Sequence, residues 1–140
     1  MPEARASQRT KTISKKELVT GKHVYGNLYD INPELLHDTE LLSRIIAESA
    51  KIGNMHIVET IVKKFQNLKG GIDGGVSVIA LIKESHITIH TWPEGNYAAV
   101  DVFSCGQQSS PEKAFEYIIL KLKPKTYKMF KADRGNSIPT

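Results

Sequence analysis

Three runs decide the fold: Val76-Ser77-Val78-Ile79-Ala80-Leu81-Ile82, then His86-Ile87-Thr88-Ile89-His90-Thr91-Trp92, then Tyr97-Ala98-Ala99-Val100-Asp101-Val102-Phe103. The first is continuously apolar, which predicts a central strand buried on both faces. The second and third alternate and are joined by Pro93-Glu94-Gly95-Asn96, a hairpin turn. Between the first two lies Lys83-Glu84-Ser85, where one strand ends and the next begins.

Outward from this centre, Lys22–Tyr29 sets His23 and Tyr25 against Val24, Gly26 and Leu28, a first strand. Asn32-Pro33 is a turn signal. Leu41, Leu42, Ile45, Ile46 and Ala50 recur at helical spacing, which predicts an amphipathic helix over Thr39–Ile52, stopped by Gly53-Asn54. Met55–Lys63 alternates again as a strand. Asn67–Gly75 carries Gly70, Gly71, Gly74 and Gly75, a mobile or tightly turned loop whose glycine spacing does not match a P-loop. Ser110 and Pro111 open a second helix through Leu122, closed by Pro124, and Thr126–Ala132 is a last strand. The order β-α-β-β-β-β-α-β predicts an α+β two-layer sandwich, with a mixed or antiparallel sheet and both helices on one side.

The chain has 140 residues and a net charge of +4, with 40% hydrophobic and 24% charged residues, the profile of one globular domain. The charge is local. Arg5, Arg9, Lys11, Lys15, Lys16 and Lys22 face only Glu3 and Glu17, so residues 1–22 hold the whole excess and 23–140 are neutral. Residues 1–20 are expected to be a disordered basic tail, residues 21–134 the domain, and residues 135–140 a short C-terminal tail. A folded basic face for nucleic acid is therefore not expected. Neither a signal peptide nor a run of ~20 apolar residues occurs, so a cytoplasmic protein without membrane contact is expected. Cys105 is the single cysteine, which excludes an internal disulfide. No metal is expected either: Cys pairs are absent, and in a strand His86 and His90 would stand about 13 Å apart.

The chemistry-bearing step is Glu84-Ser85. A serine hydroxyl in a strained turn can attack the carbonyl of the preceding residue and convert the peptide to an ester. Elimination then breaks the chain and leaves dehydroalanine, which hydrolyses to a pyruvoyl group and ammonia. That sequence needs backbone strain, a donor for the oxyanion and a base. His90, further along the same strand, has the titration range of a base, and Ser77 can offer a hydroxyl from the neighbouring strand. A pyruvoyl carbonyl condenses with a substrate amine and accepts the electrons left by departing carbon dioxide. A thiol such as Cys105 can return the proton. Taken singly, these residues have plainer readings: Ser85 as an ordinary turn serine, His86 or His90 as a satisfied core histidine, Cys105 as a small buried apolar residue.

Taken together, Glu84-Ser85-His86-Ile87-Thr88-Ile89-His90-Thr91-Trp92-Pro93-Glu94 and Tyr97-Ala98-Ala99-Val100-Asp101-Val102-Phe103-Ser104-Cys105-Gly106 make the chain resemble the short, prokaryote-type S-adenosylmethionine decarboxylase family of self-cleaving pyruvoyl enzymes. The likeness runs over roughly residues 21–134. It implies cleavage between Glu84 and Ser85 into a β chain (1–84) and an α chain (85–140), with Ser85 becoming the pyruvoyl cofactor. It further implies that His90 and Ser77 assist processing and that Cys105 donates the proton. The family's sandwich associates through sheet edges, with active sites built from two protomers, so a homo-oligomer of αβ units is expected.

Two departures bear on substrate. Family members acting on S-adenosylmethionine usually carry an aromatic-x-Phe-x-Pro-x-Gly stretch whose ring stacks on adenine. Here the aligned stretch is Lys69-Gly70-Gly71-Ile72-Asp73-Gly74-Gly75, and Asn27 stands where an acid is commoner. Losing a stacking ring costs roughly 1–3 kcal/mol per base. These features, with Ala132-Asp133-Arg134 at the end, resemble an archaeal branch that decarboxylates arginine to agmatine for polyamine synthesis. Arginine's guanidinium calls for a carboxylate, and Asp73, Asp30 and Glu94 are the candidates. S-adenosylmethionine is the alternative substrate, since the shared motif dictates only self-cleavage and decarboxylation. A non-catalytic regulatory paralogue would be expected to lack Ser85, His90 or Cys105, and all three are present.

Overall fold

The computed structural model describes residues 20–67 and 73–135. The basic tail up to residue 19, the glycine-rich segment 68–72 and the residues after 135 lie outside them. The strands are β1 (Gly21–Tyr29), β2 (Ile57–Lys64), β3 (Val76–Ile82), β4 (Ser85–Trp92), β5 (Tyr97–Ser104) and β6 (Thr126–Arg134). The helices are α1 (Pro33–Leu36), α2 (Thr39–Ile52) and α3 (Pro111–Leu122). The strands form one sheet in the order β2-β3-β4-β5-β1-β6, antiparallel throughout.

Local chemistry sets the helix ends. Asp38 accepts the Leu41 N–H at 3.0 Å to start α2, and Ser110 accepts the Lys113 N–H at 3.3 Å to start α3. Lys123 takes a left-handed φ of 52° to end α3. The apolar stripes of α2 (Leu42, Ile45, Ile46, Ala50) and α3 (Ala114, Phe115, Ile118, Leu122) are fully covered by one sheet face (Val24, Leu28, Val78, Ala80, Ile87, Ile89, Val100, Val102). This is the expected α+β two-layer sandwich. One short helix was not expected: Asn32-Pro33, read as a turn, opens the single-turn α1, with Asn32 accepting the Glu34 N–H.

The expectation that Val76–Ile82 is buried on both faces is corrected. Val76, Val78, Ala80 and Ile82 are buried under the helices, but Ile79 and Leu81 stand 40% and 52% exposed on the other face. Among the described residues helices cover one side of the sheet, so the run is apolar on an open face as well. Tyr25, Ile61, Trp92 and Phe130 are exposed there too.

Candidate active site

Ile82 and Ser85 are the last pair of the β3–β4 ladder, so the two strands are joined by Lys83-Glu84 alone. Two-residue hairpins normally place positive φ on their central residues, usually glycine or asparagine. Here neither central residue takes it. The positive φ falls on Ser85, at 156°, a conformation that side-chain-bearing residues rarely adopt. The strain expected at this serine is present.

The turn is pinned from three directions. The Cys105 N–H donates to the Glu84 carbonyl oxygen at 2.8 Å, and the Lys83 N–H donates to the His56 carbonyl at 2.8 Å. The Glu84 carboxylate meets His56 twice, accepting its N–H on Oε1 at 3.0 Å and contacting its ring Nδ1 through Oε2 at 2.7 Å. Burial pushes the Glu84 carboxyl up, yet the hydrogen bonds and charge of His56 outweigh it and hold the group below its ordinary range. Gly106 closes the corner: a Cβ there would lie 2.6 Å from Glu84 Cγ.

Cys105 comes to Ser85 through the hairpin register. β4 and β5 pair Ser85 with Ser104, which leaves Cys105 just beyond. The Ser85 hydroxyl points at the Cys105 sulfur, 3.8 Å away, and both residues are half-buried. The corner therefore holds a hydroxyl, a strained peptide, an amide donor on that peptide's oxygen, and a thiol.

Ser77 and His90 form a separate pair. They face each other across β3 and β4, with Ser77 Oγ 2.7 Å from His90 Nδ1. Along β4, however, His90 stands about 17 Å from Ser85, at 3.3 Å per residue. Within one chain, therefore, His90 does not reach Ser85. The Ser77–His90 pair opens instead on a cavity of ≈ 460 Å³, also lined by Phe65, Gly75, Trp92 and Glu94. Of the three candidate acids only Glu94 is there. Asp30 lines a different cavity with Lys123 and Lys125, and exposed Asp73 lines neither.

Several site neighbours went unrecognised in the sequence. Asp101 bridges His23 and His86, with Oδ1 to His23 Nε2 at 2.8 Å and Oδ2 to His86 Nε2 at 2.7 Å. The Phe103 ring meets both histidines at tilts of 59° and 58°, with centroids 5.4 Å and 5.9 Å away, and the Arg134 guanidinium lies 4.7 Å above its ring. The signal for His86 and Asp101 was the hairpin itself, whose register follows from its turn. His56 had no local signal. Among the described residues no cluster of three His, Cys, Asp or Glu is placed to hold a metal ion, and no helix is long and apolar enough to cross a membrane.

Known proteins share this architecture. The arginine decarboxylase proenzyme of Hyperthermus butylicus is 55% identical over 123 residues, 88% of this chain and 83% of its own length. The crystal structure of the adenosylmethionine decarboxylase from Aquifex aeolicus superposes with a TM-score of 0.73 at 31% identity, over 82% of this chain and 90% of that one. A family model described as S-adenosylmethionine decarboxylase matches residues 22–135, from the first strand past the last and through the Ser85–Cys105 corner. The chain belongs to the S-adenosylmethionine decarboxylase family.

Proposed function

We propose that the chain is the precursor of a pyruvoyl-dependent arginine decarboxylase that makes agmatine in the cytoplasm. The observation that carries the chemistry is the Glu84–Ser85 peptide, strained at Ser85 and hydrogen-bonded through its carbonyl oxygen to the Cys105 amide. Arginine as substrate is supported by the arginine decarboxylase proenzyme at 55% identity, against 31% for the adenosylmethionine decarboxylase.

Ser85 Oγ adds to the Glu84 carbonyl carbon while the Cys105 N–H receives the developing oxyanion. The C–N bond then breaks, and the nitrogen takes the hydroxyl proton, which leaves an ester and a free amine at residue 85. Loss of the residue 85 α-proton expels Glu84 as a carboxylate, the end of a β chain of residues 1–84. Water and loss of ammonia complete residue 85 as the head of the α chain, 85–140. The residues fit this outcome: the corner holds an oxyanion donor and a thiol within reach of position 85. The pyruvoyl group so formed supplies the carbonyl that takes up a substrate amine and withdraws the electrons released with carbon dioxide. Cys105 is the donor that returns a proton to the α carbon.

His90, oriented by Ser77, is the processing base. Since it stands far from its own Ser85, a second copy of the chain supplies it. The exposed Ile79, Leu81, Tyr25, Trp92 and Phe130 of the open face support a homo-oligomer in which two such faces meet. Glu94 is the guanidinium partner in the cavity beside His90, with exposed Trp92 as the flat neighbour on which a guanidinium stacks.

Release of labelled carbon dioxide from carboxyl-labelled arginine and carboxyl-labelled S-adenosylmethionine, run side by side, tests the reading. Release from arginine alone is expected. Release from S-adenosylmethionine alone overturns the substrate and keeps the chemistry, and release from neither overturns both.

A further inference from the structure

The short connection between α2 and β2, anchored by buried Met55, reaches the reactive turn through exposed His56. His56 uses its carbonyl for the Lys83 N–H, its own N–H for Glu84 Oε1 and its ring Nδ1 for Glu84 Oε2. Both side-chain oxygens of Glu84 are therefore engaged by a residue that takes no part in bond making. We propose that His56 is a positioning residue for self-cleavage, gripping Lys83 and Glu84 so that the Glu84 carbonyl stays against the Cys105 amide for attack by Ser85. The inference rests on the self-cleavage reading above.

The physical case is one of restraint. A two-residue turn has few backbone contacts of its own, and rotation about the Glu84 Cα–C bond swings the carbonyl away from the Cys105 N–H. Attack needs the hydroxyl and carbonyl carbon held near contact, and a displacement of ~1 Å costs on the order of a hundredfold in rate. The Cys105 amide fixes the oxygen end of the peptide, and the glutamate side chain, held by His56 on one side and packed against Gly106 on the other, fixes its Cα. Fold stabilisation alone does not account for the contact: the Glu84 side chain is 14% exposed but that of His56 is 59% exposed, so water screens the pair from one side and limits what it adds to global stability. The geometry is spent on the turn.

The test follows cleavage of freshly synthesised precursor over time by denaturing mass analysis. His56→Leu is expected to slow chain separation by about tenfold to a hundredfold. His56→Asn, whose Nδ2 falls where the imidazole Nδ1 lay, is expected to recover most of the rate. Hydroxylamine, which cuts esters but not amides, is expected not to speed the His56→Leu precursor, because the lost step precedes the ester. In a Ser85→Ala background, the unfolding midpoints of the two His56 variants should differ only slightly, far less than their cleavage rates do. Cleavage of His56→Leu at the wild-type rate overturns the proposal, as does a His56→Asn variant no faster than His56→Leu, or rapid hydroxylamine cutting of His56→Leu. A wild-type precursor that never cleaves overturns the self-cleavage reading itself, which is a separate result.

Discussion

The Cys105 N–H donates to the Glu84 carbonyl oxygen at 2.8 Å, while the Cys105 thiol lies 3.8 Å from the Ser85 hydroxyl. One residue thus presents its backbone to the Glu84–Ser85 peptide and its side chain to Ser85. The two duties separate by substitution. Cys105→Ala keeps the amide, so its precursor should still divide into residues 1–84 and 85–140 on denaturing mass analysis. Its turnover should fall by about 10²–10⁴-fold for want of the proton donor. Ser85→Ala should stay a single chain without activity.

Mixed oligomers test where His90 acts. Co-expression of Ser85→Ala with His90→Ala places an intact Ser85 of one copy near an intact His90 of the other. If the site spans two copies, the His90→Ala chain should be cut in the mixture although neither variant is cut well alone. An uncut mixture that forms mixed oligomers would return His90 to its own chain.

Gly106→Ala drives a Cβ to 2.6 Å from Glu84 Cγ, so the carboxylate must move away from His56 or the turn must shift. Slower precursor cleavage, by about tenfold or more, is expected from the same time course. Stability, read in a Ser85→Ala background, should fall by roughly 1 kcal/mol, the size of a typical single substitution.

Acid sensitivity should carry a Glu84 component. Its carboxyl is held below the ordinary value of 4.5 in the folded chain, with burial opposing and the His56 contacts prevailing. A lowered folded value contributes stability that is present above the unfolded value and is lost as pH falls through the folded one. In the uncleaved Ser85→Ala chain, Glu84→Gln should therefore lower the unfolding midpoint near neutral pH. The difference should shrink as the pH falls below about 4.5. A difference independent of pH would remove ionisation from the account.

Phe115 is fully buried where α3 meets the sheet. Phe115→Ala should cost about 3–5 kcal/mol, seen as a lower urea midpoint at unchanged slope. The sheet's open face predicts the opposite for Leu81→Ser. In an isolated protomer that change should be nearly neutral, and it should weaken self-association instead, read by light scattering.

Much of the site was legible because hairpin registers are local. The tight Lys83-Glu84 connection sets Ser77 opposite His90, and the Pro93–Asn96 turn sets Ser85 opposite Ser104, beside Cys105. Strand alternation and helical spacing likewise follow from which residues must leave water, so the sandwich and its helix caps were readable. Nearness in sequence is not nearness in space along an extended strand: His90 lies five residues from Ser85 and about 17 Å from it.

Which elements exist, where they turn and which hairpin neighbours meet were determined by the sequence alone, because backbone hydrogen bonding and apolar periodicity act over a few residues. The contact between His56 and Glu84, the Cys105 amide on the Glu84 carbonyl and the sharing of Asp101 by His23 and His86 were decided only by the tertiary structure. Each joins different elements, so it exists only once the sheet has closed in one register and the α2–β2 strap has packed against its end. The bareness of the second sheet face has the same origin. Two long helices suffice to cover one side, and among the described residues Ile79 and Leu81 stay exposed on the other.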